Sequence, residues 1–171
     1  MKIKLGKNEL QYLYDLARAR HDAKHKSFRN ASQIMPEHKR VEFRDTFDIE
    51  KEYMPHFLGL VGEYAWSQHS GEPLDETIYA VRDPGEDFKG VEVKTVTYFG
   101  AGEPELKIKV EEYEEKTPET YVLARFSMKS REVEVLGTIT RHDFEKCKVK
   151  KKYGRNLPTN FIVPVSKMRK V

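Results

Sequence analysis

Apolar and charged residues alternate along residues 88–95, and this period of two constrains the fold more than any other feature of the chain. Such alternation is typical of a strand with one apolar and one polar face. The apolar face would consist of Phe88, Val91, Val93 and Thr95, and the polar face of Glu92 and Lys94. The dipeptide Lys89-Gly90 interrupts the pattern and predicts a hairpin with a two-residue connection.

The predicted hairpin sets two carboxylates opposite each other. Asp87 would pair with Glu92 in the kind of cross-strand pair whose Cβ atoms lie roughly 4.5–5.5 Å apart. Like charges so placed repel each other, so the pair predicts a divalent cation bound by carboxylate oxygens. Lys94 points to the same face. Because Lys-Gly matches the favoured hairpin turns less well than Asn-Gly, a register shifted by one residue stays open and would turn Asp87 away.

Asp87, Glu92 and Lys94 together resemble the PD-(D/E)xK nuclease superfamily, in which an Asp on one strand and a Glu-x-Lys on the next form a magnesium-dependent phosphodiesterase site. The resemblance implies that Asp87, Glu92 and the backbone carbonyl of Val93 hold one or two Mg²⁺ ions, with Mn²⁺ as a substitute. It assigns to Lys94 the orientation of the attacking water or the stabilisation of developing negative charge. Asp83 is an alternative to Asp87, because a proline follows it, as the superfamily name suggests.

Residues 57–70 predict a helix upstream of the hairpin, with apolar residues at helical spacing and Gly71 just beyond its end. Gly59 and Gly62 each cost a helix about 1 kcal/mol relative to Ala, so they predict close approach of another backbone. Several superfamily nucleases, including Holliday-junction resolvases and phage-encoded relatives, carry a helical Glu before the catalytic strands. The resemblance therefore implies a metal contact for Glu63, direct or through water. An exposed helix Glu is the alternative.

Chance patterns supply the competing interpretation of these motifs. The chain is 35% charged and contains Glu-x-Lys four times, so the tripeptide alone could belong to an ordinary solvated hairpin face.

His21 and His25 are spaced one helical turn apart, as in a zinc-binding helix, but Asp follows the first His where a zinc protease has Glu. A basic helix surface is the alternative there.

Basic residues concentrate near the C-terminus, whereas the net charge of +3 is too small to indicate a partner. The predicted nucleic-acid contacts are Lys148, Lys150, Lys151, Lys152 and Arg155. Tyr153 among them could stack on a base or cover apolar surface. The basic end of the first helix, with Arg18 and Arg20, is a second candidate. The acidic block 111–119 is not expected to contact nucleic acid.

The 171 residues predict a single α/β domain with a mixed central sheet. We expect a helical N-terminal region (1–56), a nuclease core (57–144) and a basic tail (145–171). Strands are predicted at 77–81, 91–95 and 106–110 as a three-strand meander, and then at 121–126, 132–140 and 161–165. The resemblance implies a restriction-endonuclease-like core flanked by helices.

One cysteine, no signal peptide and no apolar run of membrane-spanning length predict a cytoplasmic protein, in a host cytoplasm if it is encoded by a phage. The expected activity is metal-dependent hydrolysis of nucleic acid, with DNA favoured over RNA and endonuclease over exonuclease action. A nucleic-acid-binding protein that keeps the fold without cutting is the alternative. No membrane partner is expected, and a homodimer stays open.

Overall fold

The computed structural model describes residues 2–28, 49–78, 86–97 and 102–171. Its elements in chain order are β1 (Lys2–Lys4), α1 (Lys7–Phe28), α2 (Met54–Ser70), β2 (Val91–Thr97), β3 (Glu105–Lys109), α3 (Val110–Glu115), β4 (Thr120–Ser127), β5 (Glu132–Thr140), α4 (Arg141–Cys147), β6 (Val149–Lys152), β7 (Thr159–Pro164) and a 3₁₀ turn (Val165–Lys167). None of the helices in these ranges is long and apolar enough to cross a membrane.

The strands form two sheets. The larger has the order β1-β5-β4-β2, and the smaller has the order β3-β7-β6. Strands β2 and β4 are parallel, whereas every other named pair in the two sheets is antiparallel. The chain is therefore an α/β protein with a mixed sheet flanked by helices, as the sequence predicts.

Strand β4 is central in the larger sheet and is buried on both faces. Val122, Ala124 and Phe126 belong to the apolar cluster that α1 and α2 cover. Tyr121 and Leu123 belong to the cluster shared with the smaller sheet. Because successive side chains of a strand point to opposite faces, one strand supplies both cores. The prediction of a central strand over 121–126 is confirmed.

The predicted three-strand meander is wrong. Strand β3 does not lie beside β2 but pairs with β7 in the smaller sheet. Neighbouring parallel strands need a crossover connection, and β3 with α3 provides it between β2 and β4. Within the strand predicted at 77–81, Thr77 and Ile78 are not in a strand, and the other three residues lie outside the described part of the chain.

Gly62 allows α2 to approach β2 closely. A Cβ atom placed on Gly62 would lie 1.9 Å from Oγ1 of Thr95 and 3.2 Å from Cγ1 of Val93. A Cβ on Gly59 would instead lie 3.6 Å from Oε1 of Glu63, an ordinary contact. The prediction of close backbone approach is confirmed for Gly62 and wrong for Gly59.

Candidate functional site

The Lys89-Gly90 turn forms as predicted. Phe88 and Val91 exchange both backbone hydrogen bonds, with N···O distances of 3.1 and 2.9 Å. Gly90 has a φ of 73°, in the left-handed region that glycine adopts without strain. The two-residue connection is confirmed. The Phe88–Val91 pair is an isolated bridge within the described residues and does not continue as a ladder through Asp87.

The half-buried side chain of Asp87 turns toward the backbone of β2. Its Oδ2 accepts a 2.7 Å hydrogen bond from the N–H of Val93. The N–H and C=O groups of one strand residue point the same way, so the Val93 carbonyl lies on the same side of β2 as Asp87. Desolvation raises the pKa of Asp87 to about 8, and the carboxylates of Glu92 and Glu63 contribute to the rise. Asp87 therefore resists ionisation more than an ordinary aspartate does.

Glu92 is buried and is paired with two lysines. Its Oε1 accepts a 2.7 Å hydrogen bond from Nζ of Lys94. Nζ of Lys116 lies 3.2 Å from Oε1 and 3.1 Å from Oε2 of the same carboxylate. Lys94 also donates to Glu112. Glu92 thus shares its negative charge between two ammonium groups.

Lys94 remains a cation despite its partial burial. Desolvation alone would lower the pKa of Lys94, but the carboxylates of Glu92 and Glu112 outweigh it and raise that pKa above the ordinary value. Desolvation would likewise raise the pKa of Glu112, but Lys94 and the other polar neighbours outweigh it and lower that pKa. Lys94 can therefore donate hydrogen bonds and stabilise negative charge at neutral pH, but it cannot accept a proton.

Glu112 and Lys116 were missed by the sequence analysis, which set the acidic block 111–119 aside. They reach the site because α3 lies within the crossover from β2 to β4. Arg141 holds the end of this helix, since its guanidinium donates 2.9 Å hydrogen bonds to the carbonyls of Tyr113 and Lys116. No local pattern in the sequence indicates this contact, because it depends on which strands are neighbours.

Glu63 is buried on α2, so the alternative of an exposed helix Glu is wrong. Its Oε2 accepts a 3.2 Å hydrogen bond from Nη1 of Arg20. Arg20 also donates to the carbonyls of Asp75, at 2.5 Å, and Thr77, at 3.3 Å. Arg20, considered above as a nucleic-acid contact, thus ties α1 to α2 and to the segment that follows α2.

The carboxylates of Glu92 and Glu63 both act on Asp87. Val93 and Thr95 face Gly62 on α2, and alternation puts Glu92 and Lys94 on the opposite face of β2. The pKa of Asp87 responds to both Glu92 and Glu63. In the part of the chain that the structure describes, no three carboxylate, imidazole or thiol groups converge closely enough to hold one metal ion. Glu92 is instead paired with Lys94 and Lys116, and Glu63 is paired with Arg20.

Two alternatives from the sequence analysis fall wholly or partly outside the described residues. Asp83 lies outside the described residues. The ring of His21 packs against Tyr53 at 5.0 Å and against His56 at 5.4 Å between centroids. The side chain of His25 is outside the described part of the chain, so the predicted zinc pair stays a prediction.

The basic residues near the C-terminus differ in their surroundings. Lys150, Lys152 and Arg155 are exposed, and all four residues of β6 face solvent. Nζ of Lys148 lies 2.6 Å from Oε2 of Glu145 and within 4.2 Å of two aromatic ring centroids, and its side chain is only 16% exposed. Lys148 is therefore largely committed to internal contacts.

The smaller sheet has a basic outer face, which we call the lysine face and define as Lys107, Lys109, Lys151 and Tyr153. Register puts Lys109 and Lys151 on either side of Asn160, and alternation puts Lys107 on the same face. Nζ of Lys107 lies 4.4 Å and Nζ of Lys151 lies 4.7 Å from the Tyr153 ring centroid. The sequence analysis missed Lys107 and Lys109, although their alternation with buried Leu106 and Ile108 was visible.

Comparisons with protein-family models, with curated proteins and with solved structures gave no match to this chain.

Proposed function

We propose that the chain is a metal-dependent nuclease of the PD-(D/E)xK superfamily that hydrolyses phosphodiester bonds in DNA. The observation that carries the proposal is the Asp87 carboxyl group held on the backbone of β2, where desolvation and then the carboxylates of Glu92 and Glu63 raise its pKa. Carboxylates gathered in a poorly solvated place oppose folding, so such a cluster indicates a functional requirement. A restriction-endonuclease-like core built on β2, β4 and α2 is part of the same proposal.

The residues at this site fit a hard divalent cation. Asp87, Glu92 and the carbonyl of Val93 would hold Mg²⁺ or Mn²⁺, and Glu63 would contact it directly or through water. All four supply oxygen, which these cations prefer, and a cation would offset the repulsion that Glu92 and Glu63 exert on an ionised Asp87. When bound, the ion polarises the scissile phosphate and lowers the pKa of a water ligand.

Lys94 would act as a fixed positive charge. Its pKa lies above the ordinary value, so at neutral pH the side chain is an ammonium group with three donors. It can hold the attacking water in place or donate to a phosphate oxygen as negative charge develops there. Removal of the proton from the water would fall to another group or to solvent.

The lysine face and the exposed basic residues of β6 would contact the DNA backbone. Their charge complements phosphate, although Glu105 offsets part of it through ion pairs with Lys107 and Lys151. Tyr153 offers an aromatic ring beside the same two lysines. Lys150, Lys152 and Arg155 remain predicted contacts from the sequence analysis. Lys148 has the weakest case of the five residues, because its ammonium group lies 2.6 Å from Glu145 and its side chain is only 16% exposed, whereas Lys151 lies 3.6 Å from Glu105 and is 47% exposed.

A nucleic-acid-binding protein that keeps this fold without cutting is the second candidate. The observation that favours it is the internal neutralisation of the acidic site, in which Lys94 and Lys116 bind Glu92 and Arg20 binds Glu63. A protein with such a site could be stable without any metal. The presence of Asp87 together with the Glu-x-Lys motif favours the nuclease.

One assay separates the two candidates. Purified protein is incubated with Mg²⁺ or Mn²⁺ and linear duplex, single-stranded, circular or four-way-junction DNA, with RNA in parallel. We expect DNA hydrolysis that stops with EDTA and is lost in Asp87→Asn, whereas Asp143→Asn, a change at an exposed residue of α4, retains it. DNA binding without cleavage in either metal would support the second candidate, and cleavage in excess chelator would contradict the metal site.

The same assay tests the choice of the first metal ligand. Asp83→Asn should affect hydrolysis less than Asp87→Asn. If Asp83→Asn is inactive and Asp87→Asn behaves like the unmodified protein, the site must be rebuilt around Asp83.

A further inference from the structure

Lys116 contacts both carboxylate oxygens of Glu92. Its Nζ lies almost equally far from both carboxylate oxygens, at 3.2 and 3.1 Å. This two-oxygen contact differs from that of Lys94, which approaches Oε1 at 2.7 Å. A divalent cation bound by a carboxylate can engage both oxygens in the same way.

The two lysines differ in how tightly they are held. Charge-assisted N–H···O contacts are typically about 2.7–2.9 Å long, so the Lys94 contact is short and the Lys116 contacts are stretched. Lys94 is also fixed by a second carboxylate, that of Glu112. The Lys116 side chain is 31% exposed, so it can move toward water without opening the core.

The backbone at Lys116 is anchored, so displacement needs only the side chain to move. Its N–H donates to the carbonyl of Glu112 at 2.9 Å, and its own carbonyl accepts from Arg141 at 2.9 Å. A lysine has four rotatable side-chain bonds and readily adopts other rotamers once its partner is taken by another ion.

We infer that Lys116 is a built-in competitor for the metal: its ammonium group holds Glu92 in the metal-free protein and must leave when a divalent cation binds. The inference rests on the proposed metal site. Lys116 is a positioning residue in this scheme, because it keeps Glu92 ordered and paired while no metal is bound. Lys94 stays in place in both states.

The test is Mn²⁺ binding by isothermal titration calorimetry to four full-length proteins: unmodified, Lys116→Met, Asp87→Asn and the control Lys129→Met. Lys129 is an exposed lysine between β4 and β5. Methionine keeps most of the side-chain length and removes the charge. A hydrogen bond to a charged group contributes enough that we expect Lys116→Met to bind Mn²⁺ about tenfold more tightly or better. Lys129→Met should bind like the unmodified protein, and Asp87→Asn should lose affinity.

A second measurement observes the displacement in the unmodified protein. Lysines are acetylated with an activated ester with and without Mn²⁺, and the extent of modification at each lysine is read by peptide mass spectrometry. We expect modification of Lys116 to rise with Mn²⁺ and that of Lys129 to stay constant. This measurement remains decisive if Lys116→Met does not fold.

The outcomes separate the inference from the proposed function. Binding of Mn²⁺ that depends on Asp87, with Lys116→Met no tighter and Lys116 no more reactive, would overturn the inference and leave the metal site standing. Absence of Mn²⁺ binding to both the unmodified protein and Lys116→Met would overturn both. Tighter binding by Lys116→Met together with metal-dependent exposure of Lys116 is the result expected.

Discussion

The N–H of Val93 donates a 2.7 Å hydrogen bond to Oδ2 of Asp87, and this bond ties the Lys89-Gly90 turn to strand β2. The aspartate that makes the bond is one whose ionised form is disfavoured by its surroundings. The bond favours the ionised carboxylate, but desolvation together with Glu92 and Glu63 outweighs it. Asp87 therefore helps to order the turn while its charge opposes folding. The effect of Asp87 on the free energy of unfolding can therefore be measured without any substrate.

In metal-free buffer the unmodified protein should become less stable as the pH rises, and Asp87→Asn should abolish this decrease. The folded-state pKa of Asp87, about 8, lies above the unfolded value of roughly 3.9. The folded state therefore binds the proton more tightly, so this group's stabilisation is complete below about pH 4 and declines until the pH passes about 8. Asparagine keeps an acceptor for Val93 and does not titrate.

Urea denaturation in EDTA at several values between pH 4 and pH 9 measures this effect. The free energy of unfolding of Asp87→Asn minus that of the unmodified protein should increase with pH across the window and then level off. Asp143→Asn, which changes an exposed carboxylate on α4, should show no such trend. A difference that does not vary with pH would mean that folding does not raise the pKa of Asp87.

Lys94→Ala should lower turnover but should not weaken Mn²⁺ binding. Its ammonium group is not a metal ligand, and it would act on charge that develops in the transition state. Loss of a comparable oxyanion donor lowers kcat by roughly 10²–10³-fold, which sets the expected scale. Calorimetry and steady-state rates on the same preparation measure the two effects. If Lys94→Ala loses as much Mn²⁺ affinity as it loses rate, Lys94 acts in metal binding and not in the transition state.

The pH dependence of cleavage provides a check on the same residue. Because the pKa of Lys94 is raised above its ordinary value, a rate profile should contain no ionisation of this group between pH 6 and pH 9. If Lys94→Ala removes an ionisation from the profile in that range, Lys94 exchanges a proton during the reaction.

The local parts of the site could be predicted from the sequence. Alternation and a glycine define the turn at Lys89-Gly90 and the two faces of β2, because both depend only on neighbouring residues. Helical spacing left the burial of Glu63 open, because an exposed helix Glu fits the same pattern. The apolar run from Tyr121 to Ala124 in β4 is likewise local, and it follows from cover on both faces of the strand.

The partners of these elements could not be predicted. Alternation shows which face of a strand is apolar but not which strand lies beside it, so β3 was placed next to β2 when it pairs with β7. For the same reason Glu112 and Lys116 were set aside as part of an acidic block. Their contact with Glu92 and Lys94 exists only because β2 and β4 are parallel neighbours.

Two groups of lysines should respond differently to substitution. Replacement of Lys107, Lys109 and Lys151 by Ala should weaken DNA binding. The slope of the logarithm of the binding constant against the logarithm of the salt concentration should become shallower by about 0.9 for each phosphate of duplex DNA that is no longer neutralised. Lys148→Ala should instead lower stability, because Lys148 contacts Glu145 and two aromatic rings. Fluorescence anisotropy over a range of salt concentrations and thermal unfolding measure the two effects. An unchanged salt slope in the triple variant would exclude the lysine face from the DNA interface.

Lys150→Ala/Lys151→Ala/Lys152→Ala tests the exposed edge of β6 by the same anisotropy experiment. A larger change in slope than for the lysine-face variant would place the DNA along the edge of the sheet rather than across its outer face. The two triple variants share Lys151, so their comparison isolates the other four lysines.

Gly62→Ala and Gly59→Ala should change stability in opposite directions, although both add one methyl group to α2. Either change gains about 1 kcal/mol of helix propensity. At Gly62 the new Cβ would lie 1.9 Å from the buried Oγ1 of Thr95, a half-buried β-branched residue with little rotamer freedom. Overpacking of this kind costs typically about 1–3 kcal/mol or more, so Gly62→Ala should be destabilising. At Gly59 the nearest contact is 3.6 Å, so Gly59→Ala should be neutral or stabilising.

A double-mutant cycle with Thr95→Ala identifies the clash itself. Thr95→Ala removes Oγ1 but leaves Cβ at 3.3 Å and Val93 Cγ1 at 3.2 Å from the new methyl group, so rescue of Gly62→Ala should be partial. The free energies of unfolding of the two single variants and the double variant, measured by urea denaturation, give a favourable coupling energy if the contact is direct. The same cycle built on Gly59→Ala should give a coupling near zero. Additive effects at Gly62 would mean that α2 and β2 are not held together by this close approach.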